Sequence, residues 1–96
     1  MEIEFHPDAV SEIREASLYY QAQQVGLGER FLSTVQESLT RISNFPESFP
    51  VVADNVRQCK VARFPYTIVY RVQVNYIQVI ALAHSRRKPQ YWARRS

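Results

Sequence analysis

The segment His84-Ser85-Arg86-Arg87-Lys88-Pro89-Gln90-Tyr91-Trp92, with Arg94 and Arg95 just beyond it, gathers the side chains of this chain best suited to chemistry on an anion. A guanidinium stays charged and matches a phosphate bidentately, so Arg86 is a candidate for stabilising developing negative charge. His84 titrates near neutrality and is a candidate general base; its structural alternative is to orient the Arg86 loop through a ring hydrogen bond. Tyr91 carries a phenolic proton that it could donate, whereas the indole of Trp92 is neither acid nor base at neutral pH. Trp92 can stack on a nucleobase, worth roughly 1–3 kcal/mol, or cover a sheet edge as packing. Arg71, Arg87 and Arg94 complete the candidate contacts to a polyanion, against the alternative that Arg87 and Lys88 are merely solvated and that Arg94 and Arg95 fray at a terminus.

The distribution of charge supports an anionic partner. All nine acidic side chains lie in residues 1–54, together with only Arg14, Arg30 and Arg41, while residues 55–96 hold nine bases and no acid. The net charge of +3 therefore conceals halves of −6 and +9. One side of the folded chain is expected to present a positive field, the footprint of a polyanion-binding surface. Other chemistries lack their residues. Cys59 is the only cysteine, so neither an intrachain disulfide nor a thiolate zinc site can form. The two glycines share one turn, which excludes a glycine-rich phosphate loop. No metal site and no cofactor is expected. The longest apolar run, Val79 to Ala83, is far too short to span a membrane, and Met1 to His6 does not read as a secretory signal, so a cytoplasmic location is expected.

Ninety-six residues with 46 % apolar content are expected to form one domain, residues 1–96, around one core. Glu2 to Phe5 alternates as a short strand. His6-Pro7-Asp8 opens a helix with Ala9, Ile13, Ala16 and Tyr20 on its inward stripe. Glu12 and Glu15 are assigned to its exposed face, and His6 to the helix entrance. After the Val25-Gly26-Leu27-Gly28 break, a second helix places Phe31, Val35, Leu39 and Ile42 on one side and stops before Pro46. The period then changes to two. Cys59 and Val61 face inward beside Ile68, Tyr70 and Val72, and the series Ile77, Val79, Ala81 and Ala83 is read as one further inward face. Gln58, Lys60, Thr67, Arg71, Gln73 and Gln78 are expected on the open face. Arg57 and Arg63 are placed at strand ends, pairing with helix acids such as Glu12 or Glu37. The expected fold is α+β in the order β-α-α-β-β-β, a helical hairpin packed on one face of a small, mainly antiparallel sheet.

With that order, the strings Phe64-Pro65-Tyr66-Thr67-Ile68-Val69-Tyr70-Arg71-Val72 and Ile77 to Trp92, the latter ending His-x-Arg-Arg-x-Pro-x-Tyr-Trp, resemble the RelE/ParE superfamily of toxins from type II toxin–antitoxin systems. Ala9, Ala16, Tyr19-Tyr20, Phe31-Leu32 and Val56-Arg57 extend the resemblance over nearly the whole chain. It implies a growth inhibitor held silent in a hetero-oligomer by a cognate antitoxin that wraps it. It also implies one of two targets: RelE-like members cleave mRNA in the ribosomal A site, and ParE-like members poison DNA gyrase without cleavage by the toxin itself. A non-toxic nucleic-acid-binding or interaction module on the same fold is the competing class, since fold alone does not choose.

For metal-independent RNA cleavage, the 2′-hydroxyl must lose a proton, the phosphorane charge must be stabilised and the leaving oxygen must be protonated. By resemblance, Arg86 and Lys60 fall where nuclease members carry a functional arginine and lysine. The catalytic candidates under that reading are Arg86, Lys60, Tyr91 and His84. Gln58 stands where such members often have a second lysine, and Thr67 where they often have an arginine. Both depart from the nuclease pattern.

Overall fold

The computed structural model describes residues 1–96 and contains seven elements: β1 Glu2–Phe5, α1 Pro7–Gln23, α2 Leu27–Asn44, β2 Val51–Ala53, β3 Val56–Lys60, β4 Tyr66–Val72 and β5 Tyr76–His84. The five strands form one sheet in the order β1-β5-β4-β3-β2. β1 runs parallel to β5 and every other pairing is antiparallel. The α+β class and the helical hairpin on one sheet face are as expected. The order gains one strand, β2, an edge piece of three residues directly after Pro50.

Local chemistry sets the helix ends. The backbone N–H of Asp8 donates to His6 Nδ1 at 3.0 Å, so the imidazole caps α1, with Pro7 in the first helical position and Asp8 in the first turn. Gly26 adopts φ 89°, in the left-handed region, and lets the chain reverse. The Gln21 side chain closes this hairpin, its Oε1 accepting from the N–H groups of both Gly26 and Gly28 at 3.1 Å. α2 ends as the Phe45 N–H bonds the Arg41 carbonyl at 2.8 Å, one residue before Pro46.

The principal core lies between the hairpin and the sheet. Phe31, Val35, Leu39 and Ile42 of α2, with Ala9 and Ala16 of α1, meet Cys59, Ile68, Tyr70, Ile77, Val79 and Leu82. Tyr70 is fully buried, and its hydroxyl donates to the Pro46 carbonyl at 2.6 Å, so its polar end is satisfied. Burial pushes its phenol up to about 12.

Two features of the sheet differ from the alternating pattern. Tyr70 pairs with Val79 but Val69 pairs with Ala81, which leaves Ile80 as an extra residue in β5. This bulge reverses the parity of everything after it. Leu82 therefore enters the principal core, and Ala81 and Ala83, read as inward, face the opposite side. That opposite face is not wholly polar either. Trp92 folds back over it and is buried against Val56, Val69, Ile80 and Ala81. Trp92 thus takes the packing role, not the exposed stacking one. The Arg57 assignment is also corrected: its Nη1 donates to the Glu47 and Phe49 carbonyls at 3.1 and 2.8 Å, with no helix acid involved.

The hairpin is close-packed at Gly28, where a Cβ would stand 2.6 Å from the Ser17 carbonyl oxygen. Helix propensity alone favours alanine over glycine by ~1 kcal/mol, but a contact that short with a backbone atom must separate the helices. Gly28→Ala is expected to destabilise the protein by about 1–3 kcal/mol, the range for overpacking. Thermal unfolding checks this, and a raised midpoint would show that the helices part freely.

Candidate target-binding groove

β1 pairs with β5 only as far as Val79, and His6 N–H adds one bond to the Val79 carbonyl at 2.9 Å. Beyond that point the same edge of β5 continues to His84 with no neighbouring strand. Side chains take the place of one. The Leu82 N–H donates to Glu12 Oε1 at 3.0 Å, and Arg95 Nη1 donates to the Ile80 carbonyl at 3.1 Å. Glu12 also accepts from Nη1 and Nη2 of Arg95, each at 2.9 Å, and from the Tyr91 hydroxyl at 2.7 Å. Asp8 adds a longer contact of 3.6 Å to Arg95 Nε. The C-terminal tail is thereby clamped to α1.

These bonds revise three assignments. Glu12 is not on a solvated face; its side chain is only 15 % exposed, as is that of Arg95. Arg95 does not fray. Tyr91, a candidate proton donor, has its hydroxyl committed to Glu12. Burial, and then the hydrogen bond to that carboxylate, raise the Tyr91 phenol far above its ordinary value of 10.0. For Glu12, burial alone pushes the carboxyl up, but the bonds from Arg95, Tyr91 and the Leu82 N–H outweigh it and hold the group below its ordinary value of 4.5. The bond to Glu12 in turn raises Arg95. One sequence signal did mark Glu12: it stands three residues after Ala9 and four before Ala16, both buried, and so lies within the inward stripe of α1.

Between the tail and the open face of the sheet runs a groove of about 310 Å³. Gln58 and Thr67 form its polar floor, and His84, Arg87, Lys88 and Trp92 belong to its walls. No acidic side chain lines it. His84 Nδ1 accepts the Arg86 N–H at 3.0 Å, and the ring stands edge-on to Tyr66 with centroids 5.0 Å apart. The imidazole thus orients the loop that carries the arginines. Arg86 itself is exposed, between the groove residues Ser85 and Arg87. Lys60 is exposed on the same sheet face, opposite Thr67 in the ladder. His84, Arg87, Tyr91 and Trp92 are therefore brought together around one hollow, with Lys60 and Arg86 nearby in the fold. Arg71 is not: it lies four residues along β4 from Thr67, ~13 Å at strand spacing, and bonds Gln78 Oε1 at 3.1 Å. Arg94 is exposed on the turn beyond Trp92.

Another hollow, of about 420 Å³, is lined by Val10, Ile13 and Leu18 of α1, Leu32 of α2 and Phe5 of β1, with Arg14 and Ser17. Leu18 is 62 % exposed and Leu32 42 %. No helix is long and apolar enough to cross a membrane, and no group of His, Cys, Asp and Glu side chains is placed to hold a metal ion.

The family model for the ParE toxin of the type II toxin–antitoxin system parDE matches residues 3–89. The chain belongs to the ParE toxin family. Among solved structures, a chain of the chromosomal ParDE toxin–antitoxin system from P. aeruginosa is similar, with 18 % identity and a TM-score of 0.65, covering 88 % of this chain and 95 % of that one. At that identity the likeness bears on the fold. No curated protein matches. This ParE-family toxin thus has an antitoxin partner implied by its family. The matched span contains Glu12 and Arg87 but ends before Tyr91, Trp92 and Arg95.

The clamp has a pH signature. Because the folded-state value of Glu12 is depressed, its stabilisation is complete above 4.5 and is lost as pH falls through the lower folded value. Glu12→Gln is expected to cost about 2–3 kcal/mol at neutral pH, for loss of charge-assisted bonds. The deficit relative to wild type should shrink as pH falls below 4.5. Chemical denaturation across pH measures it, and a deficit independent of pH would contradict the assignment.

Proposed function

We propose that this toxin arrests growth by poisoning DNA gyrase, contacting the phosphate backbone of gyrase-bound DNA through the cationic groove, and that its antitoxin silences it from the apolar hollow on the helical side. The observation that carries the first half is a groove walled by His84, Arg87 and Lys88, without an acid, in a chain of the ParE toxin family. ParE-like members, which the sequence resembles, act on gyrase. The groove recognises phosphate more readily than it cleaves it. Its phenol is bound to Glu12, its indole is packed, and its floor is Gln58 and Thr67, neither of which titrates. The second half rests on exposed Phe5, Val10, Leu18 and Leu32 around one hollow, a surface suited to the apolar side chains of a wrapping segment.

Induced expression in bacteria followed by analysis of DNA and message is the test. Accumulated gyrase–DNA breaks with intact mRNA are expected. Cut mRNA in a programmed translation reaction would move the target to the ribosome, and unimpaired growth would leave a non-toxic binding module. Arg86→Ala is expected to abolish growth arrest while changing stability by less than ~0.5 kcal/mol, as for other exposed positions. Leu18→Glu with Leu32→Glu is expected to abolish antitoxin capture, measured by co-purification, and to leave toxicity in place.

A further inference from the structure

Arg87 has no carboxylate partner, since the ion pairs of this chain are made by Arg95 and His6. What its guanidinium does meet is the Tyr91 ring, with Cζ 3.8 Å from the ring centroid. Arg95 Cζ lies 5.0 Å from the same centroid. Stacking on a ring face leaves the edge donors of a guanidinium free for a phosphate. The ring in turn is fixed at its hydroxyl by Glu12, whose two oxygens are themselves fixed by the Arg95 fork and the Leu82 N–H. A rigid chain of contacts thus runs from α1 to the groove wall, although Glu12 does not line the groove.

We infer that Glu12 is a positioning residue for the groove: through Tyr91 it holds Arg87 where its free donors meet a DNA phosphate. This rests on the reading of the groove as a phosphate-binding surface. It predicts an effect opposite in sign to simple electrostatics. Removing the Glu12 charge makes the protein more positive and also frees Arg95, so the general field would tighten binding to a polyanion. Loss of the held Arg87 weakens it.

The test is binding of a short DNA duplex by fluorescence anisotropy across salt concentrations, for the wild type, Glu12→Gln, Arg87→Ala and the double variant. Arg87→Ala should flatten the slope of log affinity against log salt by about 0.9, the value of one phosphate contact. Glu12→Gln should do the same, and the double variant no more than either alone. Tighter binding by Glu12→Gln, or additive losses in the double variant, would overturn the inference and leave the groove reading intact. Tyr91→Phe, which keeps the ring and every charge, guards against a failure of Glu12→Gln to fold; roughly threefold weaker binding is expected for the lost hydroxyl bond, and unchanged binding counts against the inference. If the wild type ignores DNA, the groove reading fails, and the placement is still decided by NMR. The Arg87 Nε–H resonance should be shifted upfield by the ring in the wild type and return toward its ordinary position in Glu12→Gln and Tyr91→Phe. An unmoved resonance in both variants refutes the positioning role.

Discussion

β5 is nine residues long, yet β1 pairs with only four of them before the chain turns into α1. The rest of that strand edge carries backbone groups that would otherwise stand unpaired beside a helix, and an unpaired buried peptide group costs ~1–3 kcal/mol. The sequence could have met this constraint with a longer β1. Instead Glu12, reaching from α1, takes the Leu82 N–H, and Arg95 supplies the Ile80 carbonyl. One carboxylate and one guanidinium act as a stub of strand. Arg95 stands close to the C-terminal end of the chain, so completing the edge requires the whole tail to return across the sheet.

Much of the remaining architecture follows from that return. The tail brings Trp92 onto the face opposite the helices, where it covers Val56, Val69, Ile80 and Ala81. This second cluster exists because the bulge at Ile80 turns Ala81 toward it, and small side chains at Ala81 and Ala83 leave room for the tail. What the tail does not cover is the polar strip of Gln58 and Thr67, which becomes a groove floor. Its walls are cationic because the acids of the chain are spent elsewhere. Glu12 and Asp8 are drawn to Arg95 on the helical side, which neutralises that one tail base; no acid lines the groove itself, although Arg87 also borders a hollow beside α1 with Glu12 and Glu15. The segregation of charge along the chain thus becomes a local field only after one ion pair is subtracted.

The sequence was legible wherever a local rule operates. The change of period after Pro46, the capping at His6-Pro7-Asp8 and the glycine turn fix the element order with one omission, the three-residue β2, which is too short to show a period. His84, Arg87, Tyr91 and Trp92 stood out in the sequence as one short segment of candidates, and the structure sets them around one hollow. What remained hidden depends on register or on distant partners. Ile80 becomes a bulge only because of how β4 aligns against β5, and nothing in Ile77 to Ala83 announces it. Glu12 meets Leu82, Tyr91 and Arg95 across separations of 70 to 83 residues, so its carboxylate reads as solvated unless its place in the Ala9–Ala16 stripe is taken seriously. Arg71 shares the open face with Lys60, as its parity indicated, but distance along the strand separates it from the groove.

A partly buried ion pair is weak evidence for stability, because the desolvation of both groups offsets much of their attraction. The Glu12 site escapes the usual deficit only because each oxygen is fully used: Oε1 takes Arg95 and the Leu82 N–H, and Oε2 takes Arg95 and Tyr91. An apolar residue in its place would fill space but leave the Leu82 N–H, the Tyr91 hydroxyl and the Arg95 fork without their acceptor, so the clamp is a source of geometry more than of net free energy. That geometry is shared between a carboxylate within the span matched by the ParE family and donors beyond it. Fold and tail are therefore separable in principle: the principal core on the helical side is complete without residues 90–96, whereas the groove wall that carries Arg87 is not. The far end of the chain is held at two places, by the Glu12 carboxylate on the helical layer and by Trp92 packed on the opposite face.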